Sequence, residues 1–131
     1  MQAAIIGDAA MKPVPFQITH REVQPGVAVI APAGRVMLGA GTAVIEELVT
    51  GLLSKGDRRI IVDLSGVTHI DSTGIGTFIA TLGKVMQAGG TLAMAGASGV
   101  VREGFRVTRL DSVFRFYADV ETAINAVSKP G

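Results

Sequence analysis

Hydrophobic and polar positions change rhythm several times along this chain, and each rhythm predicts an element. Phe16, Ile18 and His20 alternate with Gln17, Thr19 and Arg21, which predicts a half-exposed strand. Gln24-Pro25-Gly26 reads as a turn, and Val27 to Ala31 as a more buried strand paired with the first as a hairpin. The glycine-bearing stretch Pro32 to Gly41 reads as a loop. The spacing then shifts to threes and fours. Ile45, Leu48, Val49, Leu52 and Leu53 predict a one-sided helix with Thr42 as its N-cap and Gly56 in the C-cap role. Glu46 and Glu47 fall near the positive end of its dipole. The near-continuous run Ile60, Ile61, Val62, Leu64 reads as a central strand.

A second helical stripe follows, predicted to bury Ile75, Phe78, Ile79, Leu82, Val85 and Met86 and to end at Gly89-Gly90. Thr91 to Ala95 reads as another strand. Ser98 is placed to cap a short helix that buries Val101 and Phe105 and turns Arg102, Glu103 and Arg106 to water. Val113 to Tyr117 reads as a last strand, and Asp119 as the cap of a helix with Val120, Ala123, Ile124 and Val127 inward. The order β-β-α-β-α-β-α-β-α predicts a single α/β domain, a small mixed and mostly parallel sheet of about five strands with about four helices and right-handed crossovers. Residues 1–15 show no period and end in Lys12-Pro13-Val14-Pro15; they read as a tail before a domain spanning 16–128, with Met11 a possible alternative start.

Composition narrows the function classes. A chain of 131 residues with 48% hydrophobic content suffices for one cored domain. A net charge of +1 gives no strong pull toward nucleic acid or a membrane surface. The absence of cysteine removes disulfides and thiolate metal sites and agrees with a cytoplasmic setting. The long uncharged stretch Gln87 to Val101 carries four glycines and falls short of a membrane span. The first ten residues lack a basic start and contain Asp8, unlike a secretory signal.

The chemistry concentrates in Asp71-Ser72-Thr73-Gly74-Ile75-Gly76, between a strand and a helix. Functional groups in α/β folds gather beyond the carboxyl ends of strands. Free N–H groups at a helix start favour an anion. Gly74 and Gly76 each weaken a helix by ~1 kcal/mol relative to alanine, and the expectation is that they bare the first turn for a partner's backbone or a phosphate. An Asp, Ser or Thr before a helix also serves simply as an N-cap, and a capping hydroxyl is compatible with being a kinase target. A phosphate on Ser72 would add about −1.5 to −2 charge beside Asp71 and repel a partner packed on the loop.

Asp63-Leu64-Ser65-Gly66-Val67 followed by Ile70-Asp71-Ser72-Thr73-Gly74-Ile75-Gly76 resembles the signature of STAS domains, and more narrowly of bacterial anti-sigma factor antagonists. The resemblance runs from about Phe16 to Val127. It implies a STAS-like fold and a non-enzymatic partner-switching role in transcription regulation. It implies that Ser72 is phosphorylated by a serine kinase that is also the anti-sigma factor. The unphosphorylated antagonist binds that kinase, and a PP2C-type phosphatase restores it. ATP then belongs to the kinase, so no cofactor is expected here. The expected partner surface is Asp71, Ser72, Thr73, Gly74, Ile75 and Gly76, with Arg35 and His69 beside it. One departure stands out: family members often carry Asp in a Gly-x-x-Asp pattern after the second strand, and here Gly34-Arg35-Val36-Met37 places Met37 there.

Two other readings stay open at this level. One is a STAS scaffold or subunit of a larger assembly, stressosome-like or lipid-transporting. The other is a small nucleotide-binding or hydrolytic enzyme. Ser72, His69 and Asp71 are adjacent in sequence, which is poor geometry for a triad, and no Gly-x-Ser-x-Gly elbow is present. No Lys-Ser or Lys-Thr follows the glycines as in a phosphate-binding loop. His20 and His69 alone make no metal site.

Overall fold

In a computed structural model of the chain, residues 16–37 and 41–128 are described. The expected tail and alternative start at Met11 lie outside them, as do two of the three residues from Gly39 to Gly41. The elements are β1 (Gln17–Gln24), β2 (Val27–Val36), α1 (Thr42–Lys55), β3 (Arg59–Asp63), β4 (Gly66–Ile70), α2 (Ser72–Gln87), β5 (Thr91–Ala95), α3 (Gly99–Val107), β6 (Arg115–Tyr117) and α4 (Val120–Ser128).

The sheet runs β1-β2-β3-β5-β6, with β4 also on β2. Only β1 is antiparallel; it pairs β2 from Gln17↔Ala33 to Gln24↔Val27, with a bulge near Val23. The ten-residue β2 is the hinge of the topology. Its first half pairs β3 (Val27↔Arg59 to Ile30↔Val62) and its second half pairs β4 (Ala33↔Gly66 to Val36↔Ile70). The sequence reading passes over β4 as a connection. The strand has only five residues, its large apolar positions Val67 and Ile70 fall three apart, and a register shift interrupts the ladder beside Gly34 and Arg35, so no period-two pattern marks it.

Two apolar layers hold the sheet. On one side α1, α2 and α3 bury Ile45, Val49, Leu52, Ile75, Phe78, Val85, Val101 and Phe105 against Ala28, Ile30, Ile60, Val62, Leu92 and Met94. On the other, α4 sets Ala123 and Val127 on Val27, Val29, Ile61, Ala93 and Ala95. At about 25 cal/mol per Å², each fully buried aliphatic or aromatic side chain contributes roughly 1.5–3 kcal/mol. Phe105 is the aromatic centre, with ring centroids 5.3 Å from both Phe114 and Phe116 and 6.3 Å from Phe78. This cluster ties α3 and the short β6 to α2.

Several local expectations change. Gly41, not Thr42, is the N-cap of α1, and no side chain caps it. The first turn holds no acid; Glu46 and Glu47 lie farther along. Gly56 does end this helix, at φ 113°, a conformation side chains disfavour. Ser98 and Asp119 accept from the N–H groups of Val101 (3.4 Å) and Thr122 (2.7 Å), as caps. Ile79 and Met86, expected inside, are 41% and 64% exposed. The inward stripe of α2 instead runs through Gly74, Ile75, Thr77, Phe78, Thr81 and Val85. The two threonines bury without an unpaired hydroxyl because Thr77 donates to the Thr73 carbonyl (3.1 Å) and Thr81 to that of Thr77 (2.8 Å).

Candidate functional site

The site forms where β2 and β4 end side by side and the chain turns into α2. Val36 and Ile70 are register partners and face the helices. Arg35 and His69, the preceding pair, are therefore turned to the opposite side of the sheet. They come together, Arg35 half-buried and His69 exposed, and flank the loop from beneath rather than standing beside the tip of α2. Nδ1 of His69 lies 2.9 Å from the Thr68 hydroxyl.

Asp71 takes the capping role. Its backbone is extended (φ −114°), and Oδ1 accepts from the Gly74 N–H at 2.8 Å. This satisfies one of the otherwise free N–H groups of the first turn. Ser72, first residue of the helix, is consequently spare. It is exposed, and among the described residues its hydroxyl makes no hydrogen bond. Thr73 is exposed as well.

The two glycines have different roles, contrary to the single role expected of them. A Cβ on Gly74 would overlap the carbonyl oxygen of Val36 and press on Ile70. That glycine exists so the first turn of α2 can sit directly on the end of β2. A Cβ on Gly76 would meet nothing within 4 Å, so this position is open toward solvent. Ile75 is 5% exposed and anchors the turn in the core, where its Cδ1 would lie 3.6 Å from a Cβ placed on Gly104 of α3. Of the predicted surface, Ser72, Thr73 and Gly76 are presented outward; Gly74 and Ile75 are turned inward and position them.

The chemistry of the tip is that of an exposed alcohol at the positive end of a 16-residue helix dipole. Serine nucleophilic catalysis needs a base on the hydroxyl, whereas the Asp71 carboxylate is on a backbone N–H and His69 is on the other side of the sheet. Among the described residues no group of three or more His, Cys, Asp or Glu is placed to hold a metal, and no helix is long and apolar enough to cross a membrane. Met37, at the position where an aspartate was expected, bridges to Gly41. Sequence reasoning placed Ile79 in the core, whereas it continues the outward side of α2 beyond Gly76; an exposed apolar residue has the same sequence signature as a buried one.

Comparison with known proteins agrees with this architecture. An anti-sigma-B factor antagonist of Staphylococcus aureus is 36% identical over 66 residues, half of this chain and 61% of that protein. The chain thus matches about three fifths of that relative's length. Among solved structures, an anti-sigma factor antagonist from Mycobacterium paratuberculosis superposes with a TM-score of 0.75 at 25% identity, covering 90% of this chain and all of that one. The unphosphorylated form of the anti-sigma factor antagonist SpoIIAA gives 0.70 at 18% identity, over 88% and 99% of the two chains. The family model described as the STAS domain matches residues 20–123, and the chain belongs to the STAS domain family.

Proposed function

We propose that this protein is an anti-sigma factor antagonist. Unphosphorylated, it binds an anti-sigma factor that is also a serine kinase; phosphorylation of Ser72 releases it, and a PP2C-type phosphatase resets it. It acts by binding in the cytoplasm, not by catalysis, and needs no cofactor of its own. The observation that carries this reading is the division of labour at the tip of α2. Asp71 caps the helix, which leaves the exposed Ser72 hydroxyl without a structural task. The outward positions Ser72, Thr73 and Gly76 form the docking centre, Asp71, Gly74 and Ile75 hold it in shape, and Arg35 and His69 flank it.

A dianion at Ser72 opposes docking for two reasons. It adds bulk where Gly76 leaves the helix bare, and it places about −1.5 to −2 charge next to Asp71. The helix dipole stabilises that charge locally by roughly 0.3–1 kcal/mol, so the fold is expected to persist while the partner is displaced. The test is incubation with the cognate kinase and ATP, followed by a pull-down. The parent chain is labelled and loses its partner, whereas Ser72→Ala stays unlabelled and bound. Equal labelling of both would refute the assignment.

A further inference from the structure

Among the described residues, the α4 side of the sheet is only half covered. The helix packs on Val27, Val29, Ile61, Ala93 and Ala95. Beyond it, Ala31, Ala33 and Arg35 continue the same side of β2, since Ile30 and Val36 belong to the opposite core. All three are half-buried rather than buried. Strand register extends this surface onto both neighbours. Arg21, Thr19 and Gln17 of β1 stand opposite Val29, Ala31 and Ala33, and Gly66 and His69 of β4 stand opposite Ala33 and Arg35. The result is an open half-sheet with a floor of small residues and charge at its two ends.

Arg21 marks one end, Arg35 and His69 the other, six residues of strand or about 20 Å apart. Among the described residues neither arginine side chain makes an ion pair or a hydrogen bond, although Arg35 is half-buried. Three other arginines are engaged, Arg58 on the Leu53 carbonyl, Arg106 on Glu103 and Arg102 over the Phe116 ring. Arg59, Arg109 and Arg115 are as free as these two but exposed, so it is the half-burial of Arg35 that sets it apart. One carboxylate borders the middle of this surface, Asp63, which by register continues alongside Ala31. Its Oδ1 is committed to the Ser65 N–H (3.0 Å) and hydroxyl (2.7 Å).

We propose that this open half-sheet docks an acidic polypeptide segment. The charge pattern fits an extended stretch of about seven residues, at ~3.3 Å each, with carboxylates near both ends and small neutral residues between. The flat floor of Ala31, Ala33 and Gly66 admits such a strand closely, and Asp63 disfavours a negative charge at its centre. Nucleic acid suits the surface less well. Single strands are held by stacking aromatic rings and a track of cations, and this patch offers two separated arginines and the single ring of His69. The inference concerns the opposite side of the sheet from α2; it shares Arg35 and His69 with the flank of the proposed docking centre, but it does not depend on the Ser72 switch.

The experiment is an amide NMR titration of the ¹⁵N-labelled chain with the peptide Glu-Glu-Ser-Ala-Ser-Glu-Glu, alongside its lysine counterpart and oligothymidylate. The acidic peptide should shift the amides of Thr19, Ala31, Ala33, Arg35 and His69, and added salt should weaken it. Arg35→Gln and Arg21→Gln should each weaken binding by about fivefold, Arg35→Lys less, and Arg102→Gln on α3 not at all. Dispersed spectra of the variants check that each remains folded. Absence of these shifts, their appearance at α2 instead, indifference to Arg35→Gln, or stronger binding of the lysine peptide or of oligothymidylate would overturn the proposal.

Discussion

At the scale of the residue, Gly74 and Gly76 separate two things that look identical in a sequence. Gly74 is required by the Val36 carbonyl beneath it, whereas Gly76 faces open space within the same helix. Gly74→Ala forces α2 off the end of β2 and should cost about 2–4 kcal/mol in urea unfolding, in the range of severe overpacking. Gly76→Ala should stabilise by up to ~1 kcal/mol, because a helical glycine loses its entropic penalty and meets no obstacle. If docking uses the bare turn, Gly76→Ala also weakens the partner, so stability and binding move in opposite directions. Asp119 gives a pH-dependent counterpart. Hydrogen bonds from Thr122, the backbone N–H foremost, hold its carboxyl below the ordinary value near 3.8. A depressed folded pKa means the stabilising contribution is full above that ordinary value and is lost as pH falls through the lower, folded one. Asp119→Asn should therefore flatten the acid limb of the stability curve below about pH 4, and the side-chain carboxyl ¹³C signal of Asp119 should titrate below its ordinary midpoint.

Elements show what the sequence could and could not convey. Helical periodicity located α1, α2, α3 and α4, because a stripe repeating every three to four residues has no other common cause. It could not say which edge of a broad stripe faces inward. On α2 the stripe turned by one position, admitting Thr77 and Thr81 and leaving out Ile79 and Met86. The threonines are legible as buried only once their bonds to carbonyls one turn back are known. The strand β4 left no pattern, since its ladder is made by β2 rather than by its own alternation. The site was legible in its location, since Ser72 is outward at a helix start. Its internal division between capping Asp71, packing Gly74 and spare Ser72 came only with contacts between distant segments. The aromatic cluster supplies an element-scale prediction. Phe105 is fully buried against three other rings, so Phe105→Ala should cost about 3–5 kcal/mol. Hydrogen exchange should quicken most in α3 and β6, which that ring joins to α2. Fast exchange spread evenly through β2 and β3 would argue against this tether.

For the whole molecule, the central matter is whether the proposed Ser72 switch would work by changing the fold or by changing a surface. The core lies between sheet and helices, and Ser72 is outside it, with no internal hydrogen bond among the described residues for a phosphate to disrupt. The two electrostatic effects of phosphorylation also oppose each other: attraction to the dipole of α2 and repulsion from Asp71 one residue away. Each is of the order of 1 kcal/mol or less at an exposed site, so little net change in stability remains. Genetically encoded phosphoserine at position 72 should thus shift the melting temperature by no more than about 4–8 °C, the equivalent of ~1 kcal/mol for a domain slightly smaller than this one. Amide exchange in β2, β3 and β5 should stay as protected as in the parent chain. Partner affinity should nevertheless fall by far more than the factor of about five that ~1 kcal/mol represents. A phosphoserine chain that lost both its partner and its core protection would mean that release follows local unfolding of α2, and the surface-gate reading would give way to an order–disorder switch.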